Sequence, residues 1–227
     1  MVPAILVVVG LLFLFWVGDR LKRRELVSSP PAPDPRQLAQ ALEWKEGDAS
    51  PNGRRVLWVQ PAARQLLSLT SGNGAFFFAA GCPVDVEKLP LQLPEQATEL
   101  AVSWPISSDE TMRLFAGFAP AVMEDKWRIV AYPTEKALRV FFFRSWTGVL
   151  LYVLEVNAGT VNKLWAQPQD ELAVPMAKAL LDGYLLGRPC IVPALAEHGE
   201  DKLKLMLHGI QWAGRRCDGV EPAAMAT

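Results

Sequence analysis

Apolar and polar residues change their spacing several times along the chain, and each change predicts a different kind of element. Residues 2–18 read VPAILVVVGLLFLFWVG without one charged side chain. As a helix rising 1.5 Å per residue this run spans about 25 Å, close to the ~30 Å hydrocarbon core of a bilayer. It predicts a transmembrane anchor over 1–18, with Trp16 at the interface. Arg20, Lys22, Arg23 and Arg24 follow at once, and then SSPPAPD at 28–34, which suits neither a helix interior nor a central strand. Residues 19–34 therefore read as a basic juxtamembrane segment and a semi-extended, proline-rich linker.

Beyond the linker, helical and strand periods alternate. Asp34-Pro35 is a helix start, followed by an apolar stripe of Leu38, Ala41 and Leu42. Residues 55–60 (RVLWVQ) read as a strand and 62–69 as a short helix. The turn Ser71-Gly72-Asn73-Gly74 leads into a buried strand over 75–80, whose Phe76-Phe77-Phe78 is core. Proline-rich 81–100 reads mostly as loop, and 101–104 as a short strand. Ser107 and Glu110 have capping-box spacing and open a helix running to Phe118. Three strand-like runs follow, 127–132, 137–143 and 149–156, joined by short connectors that favour an antiparallel meander.

Two further helices complete the pattern. Over 170–186, Leu172, Met176, Leu180 and Tyr184 recur every four residues and Gly187 supplies the C-terminal glycine. Over 200–213, Leu203, Met206, Leu207 and Ile210 form the expected inward face, and Gly214 ends the helix. The fold class is α+β: an antiparallel sheet, made of the 127–156 meander and N-terminal strands, packed with helices. The folded domain spans 35–216, and 217–227 is a flexible tail.

Charge and composition narrow the function. The 227 residues carry 23 Lys+Arg against 24 Asp+Glu, a formal net charge of −1. A dedicated nucleic-acid binder needs a basic surface to displace counterions, so nucleic acid is not an expected partner. The basic cluster flanks the apolar run on its C-terminal side, which by the positive-inside rule keeps the domain on the cytoplasmic side of the membrane. A cleaved secretory signal fits badly, because its basic residues would precede the apolar run and no A-x-A site follows. Three cysteines without C-x-x-C spacing imply neither a disulfide framework nor a zinc knuckle.

One constellation carries candidate chemistry. If a turn at 133–136 sets Tyr132 against Ala137, Asp125 faces Arg144 and Glu124 faces Ser145, within two positions. Glu124, Asp125, Lys126 and Trp127 then meet Arg144, Ser145 and Trp146 at one end of the sheet. The architectural reading is a cross-strand ion pair with packed indoles. In the ligand-binding reading, Arg144 and Lys126 hold an anionic group while Trp127 or Trp146 stacks on a ring. A catalytic version adds Glu124 or Asp125 as general base, which nothing in the spacing requires.

The segments EDKWRI and FRSWTG resemble a bacterial domain family of no established activity, in which an acidic-Lys/Arg-Trp strand start precedes a His-Arg-Ser-Trp-Thr-Gly hairpin. The resemblance covers 123–156, with ALLDGYLLG at 179–187 as a further match. Phe143 stands where that family carries histidine, so any acid–base role of that histidine is absent here. The resemblance implies a domain and no reaction.

Other polar residues carry less. Cys82 and Cys190 with His198 and His208 permit a Cys–His nucleophile, although buried inert cysteine is the simpler reading. Two histidines without metal-ligand spacing make no metal site. Gly72 and Gly74 precede a strand, the wrong context for cradling phosphate. Arg215-Arg216 reads as a charged helix end. No cofactor is implied. The expected function is a membrane-anchored protein-interaction or assembly module, touching the bilayer through residues 2–18 and a protein partner beside it. The alternative is an enzyme or sensor for a small anionic ligand at 124–126 and 144–146.

Overall fold

A computed structural model of the chain describes residues 42–45, 55–60, 89, 91–121 and 124–223, and among these described residues nine strands and three principal helices follow one another. In chain order the elements are β1 (Leu42–Lys45), β2 (Val56–Val59), β3 (Thr98–Pro105), α1 (Ser108–Ala116), β4 (Trp127–Pro133), β5 (Leu138–Arg144), β6 (Leu150–Asn157) and β7 (Thr160–Ala166). After these come α2 (Ala173–Leu181), β8 (Ile191–Pro193), α3 (Lys202–Ala213) and β9 (Gly219–Glu221). They belong to one compact unit, Pro33–Thr227. The anchor, the linker, the 62–69 helix, the 75–80 strand, Gly72, Gly74 and Cys82 lie outside the described residues. Among the described residues no helix is long and apolar enough to cross a membrane.

The larger sheet has the order β3-β7-β6-β5-β4 and is antiparallel throughout. Its meander is the expected one, shifted in register. Thr134 bonds across the turn to Ala137 through both its amide and its hydroxyl. The turn therefore closes at Pro133↔Leu138, and Trp127 stands opposite Arg144. Strand β7 was not expected. The signal for it is local: Ala158 and Gly159 both have positive φ, 48° and 74°, as a two-residue I′ hairpin turn requires.

β5 is buried on both faces. Val140 and Phe142 point into the main core with Leu154, Leu164, Met176 and Leu180. Phe141 and Phe143 point the other way, into a second cluster with Leu89, Val153 and Trp165. That is why VFFF at 140–143 reads as a continuous apolar run without alternation.

The smaller sheet, β1-β2-β9-β8, overturns two expectations. Leu42 belongs to a strand and not to the end of a helix, because its backbone pairs with Val59. Residues 219–221 are not a loose tail. They pair with β2 on one side and, in parallel, with β8 on the other, and Val220 is fully buried.

The predicted caps hold among the described residues, and so does the predicted face over 170–186, where Met176, Leu180 and Tyr184 are buried; the face of α3 differs. Ser107 and Glu110 form the complete capping box of α1, with Glu110 N–H donating to Ser107 Oγ at 3.2 Å and Ser107 N–H to Glu110 Oε2 at 2.9 Å. Asp170 reaches ahead to the Leu172 amide before α2, which begins at Ala173 and loosens into a π turn over Asp182–Leu186. The π turn brings Gly183 so near Cys190 that an added Cβ would lie 2.3 Å from Cys190 Cβ. α3 buries Leu205, Met206, His208, Gly209 and Ala213, while Leu203 and Leu207 are 53% and 51% exposed. The expected face is thus rotated. Gly209 explains the rotation, since a Cβ there would be 2.5 Å from Val220 and 2.6 Å from the Cys217 sulfur. The helix seats its smallest residue against the sheet and turns two leucines outward.

Candidate functional site

The segments 124–127 and 144–146 do meet, at the point where β4 begins and β5 ends. Trp127 pairs with Arg144, and Ser145 N–H donates to the Lys126 carbonyl at 3.0 Å. A third segment completes the corner, the end of α3 with the turn 214–216 that follows. Gly214 permits it: φ is +57°, and a Cβ would fall 1.8 Å from the Glu124 carbonyl oxygen. Only glycine lets the two backbones touch there.

Asp125 is fully buried and pairs with Arg215, not with Arg144. Arg215 donates Nε to Oδ1 at 2.6 Å and Nη2 to Oδ2 at 2.9 Å, and the Ala121 amide donates to Oδ2 at 2.9 Å. Three donors on one carboxylate leave it poorly placed to abstract a proton from a ligand. The Ser145 hydroxyl is similarly occupied, donating to the Asp125 carbonyl at 2.6 Å. Its proton is directed into the protein.

Arg144 lies among aromatic rings. Its guanidinium carbon is 5.0 Å from the Trp127 ring centre and 5.5 Å from that of Trp212. Nη2 donates to the Gln211 carbonyl at 3.1 Å, and buried Nη1 has no hydrogen-bond partner among the described residues. Burial lowers the pKa of this group from its ordinary value. Trp127 has no exposed surface; it stacks on Trp212 at 6.2 Å, packs on Phe142 and Tyr152, and donates Nε1–H to the Trp212 carbonyl.

The remaining members are peripheral. Burial lowers the pKa of Lys126, and the Arg144 charge adds to the shift while Glu124 opposes it. Glu124 and Trp146 are half-buried at the rim. Tyr184, from the π turn, donates its hydroxyl to the Ala213 carbonyl at 2.9 Å, and burial raises its pKa. Phe143 is fully buried against Phe141. What the corner does chemically is join three chain segments through a buried ion pair and an indole–guanidinium stack.

Cys190 is buried, and its amide donates to Asp218 Oδ2 at 2.8 Å. The rings of His198 and His208 are 4.7 Å apart. His208 Nε2 lies 2.9 Å from the Pro193 carbonyl, and burial lowers the pKa of this imidazole. Among the described residues no group of three or more His, Cys, Asp or Glu side chains is placed to hold a metal.

Two concave surfaces were not anticipated. A cavity of about 350 Å³ lies between β6, the start of α2 and α3, lined by Tyr152, Gln167, Asp170, Met176, His208 and Trp212 among others. There Tyr152 donates to Asp170 Oδ2 at 2.7 Å. An open cleft of about 450 Å³ is lined by Gly183, Gly187, Arg188, Arg215, Arg216 and Asp218. Its arginines come from two chain regions, so no spacing rule could have grouped them. Comparison of the chain with protein-family models, curated proteins and solved structures gives no match.

Proposed function

We propose that this chain is a membrane-anchored interaction module, held at a bacterial cytoplasmic membrane by residues 2–18, whose folded domain docks a protein partner in the cytoplasm. The reading rests on the outward apolar pairs of its helices. Leu203 and Leu207 stand one turn apart on α3, each half exposed, and Met112 and Phe115 stand one turn apart on α1, 70% and 50% exposed. Paired apolar side chains at i, i+3 or i, i+4 are the grip that one helix face offers another. The 124–127/144–146 corner supports the same reading by subtraction, because its carboxylate, hydroxyl and indole N–H are engaged within the fold.

The test uses a photo-crosslinking residue at 203, 207, 112 or 115 in the full chain in its native membrane. A discrete adduct is expected at one pair, and the partner so identified, once purified, should bind wild type and fail to bind Leu203→Glu/Leu207→Glu or Met112→Glu/Phe115→Glu. Absence of a discrete adduct at all four positions would remove the support for a docking module.

A further inference from the structure

The cleft of Arg188, Arg215 and Arg216 has a different electrostatic design from the corner beside it. Two of the three guanidinium groups are held in place from behind by carboxylates. Arg215 is fixed by its two bonds to Asp125, whose carboxylate has no exposure, while 45% of the Arg215 side chain remains exposed. Arg188 is fixed by Glu110 at 2.5 Å and Asp182 at 3.4 Å, carboxylates 15% and 8% exposed, against 41% for Arg188 itself. The acids are the inner layer and the guanidinium groups the outer one.

Arg216 differs from both. Its guanidinium rests over the rings of Phe118 and Tyr184, 5.3 and 6.0 Å from their centres, and those rings pack edge-to-face at 4.8 Å. Among the described residues no carboxylate or carbonyl accepts from it. An aromatic shelf fixes the orientation of a guanidinium without using its N–H donors. Arg216 therefore presents a pre-oriented fork to the cleft with its hydrogen-bonding capacity intact. Asp218 lines the same cleft but turns one oxygen to the Cys190 amide.

We propose that this cleft binds a phosphate group, as a phosphomonoester or phospholipid headgroup, with Arg216 as the principal ligand and Arg188 as the second. Guanidinium groups approaching from separate elements suit a tetrahedral oxyanion, which offers acceptors in several directions, better than a planar carboxylate. At about 450 Å³ the cleft exceeds the size of phosphate itself and leaves room for what the phosphate is attached to. Pre-fixed donors lose little freedom on binding, which favours affinity. This inference concerns a surface separate from the outward apolar pairs and does not depend on them.

The test follows the phenylglyoxal modification rate of each arginine by peptide mass mapping, on the full chain in neutral detergent micelles. Inorganic phosphate should slow Arg216 labelling about fivefold or more and saturably, while exposed Arg55 is unaffected and sodium chloride of equal ionic strength has little effect. In Arg188→Gln the same protection should need about tenfold more phosphate. Dihexanoyl phosphatidic acid distinguishes the two sources. Protection at a concentration at least about tenfold below that of inorganic phosphate identifies a lipid headgroup, and equal concentrations identify a soluble phosphoester. If Arg216 labelling follows ionic strength alone with both probes, the cleft is not a phosphate site. A thermal shift with phosphate that persists unchanged in a folded Arg216→Gln variant would also overturn the proposal.

Discussion

The corner built on Asp125 and the cleft built on Arg216 share Arg215, yet they use charge in opposite ways. In the corner the carboxylate is fully buried and saturated by Arg215 and a backbone amide, and the Arg144 guanidinium is enclosed by Trp127 and Trp212. In the cleft the carboxylates that pair with Arg188 and Arg215 lie behind them, Asp218 sits in the lining, and the guanidinium groups face outward. A group whose bonds are made inside the protein, as those of Asp125 are, stabilises the fold and has little left for a ligand. One held by an aromatic shelf contributes less to stability and keeps its donors. The residues richest in apparent chemistry are thus structural, while a helix-end arginine pair contributes to the outward-facing site.

The hardest test of that contrast is Trp127→Ala. This side chain has no exposed surface, three aromatic neighbours and an N–H bond to α3, so truncation should cost about 3–5 kcal/mol and loosen the end of α3 along with β4. Urea unfolding followed by tryptophan fluorescence measures it. A loss below about 1 kcal/mol would mean that the corner is not a structural joint. Next in size is Asp125→Asn, which leaves Arg215 without its counter-charge and should cost about 2–3 kcal/mol. Arg216→Gln forfeits contacts with two rings at a partly exposed position, and should cost less than about 1 kcal/mol. Equal losses for these two variants would erase the distinction between joint and cleft.

How much of this was legible in the sequence depended on how local each determinant is. The capping box of Ser107 and Glu110 could be read because both its bonds span three residues. The meander was legible from its period, but its register depended on whether the turn began at 133 or 134, and the hydroxyl of Thr134 settles that. A shift of two along the pair is enough to set Trp127 opposite Arg144 and leave Asp125 beyond the strand, where its partner arrives from 90 residues away. No spacing rule reaches that far. The face of α3 failed for a related reason. Counting leucines weighs hydrophobicity, whereas the sheet selects closeness of approach, and Gly209 provides more of it than Leu207 can. The strand 219–221 is three residues long and exists because β2 and β8 offer it two edges, which is tertiary information.

The smallest predicted effect lies where α1 meets the cleft. Glu110 accepts from the Ser107 amide and from Arg188, and these two contacts hold its carboxyl below its ordinary pKa of 4.5 despite partial burial. A carboxylate with a folded-state pKa below its unfolded value adds stability above the unfolded value, and loses it as pH falls through the folded one. Glutamine keeps the capping geometry, so Glu110→Gln should destabilise the domain by only about 0.3–0.5 kcal/mol near neutral pH, and the gap to wild type should narrow as pH drops from about 5 toward 3. The variant also loosens Arg188 without removing it, which separates orientation from charge in the cleft. If orientation matters, phosphate should protect Arg216 less well in Glu110→Gln even at neutral pH, where every arginine is still charged. Unchanged protection together with the stability loss would confine Glu110 to capping α1 and leave Arg188 acting through its charge alone.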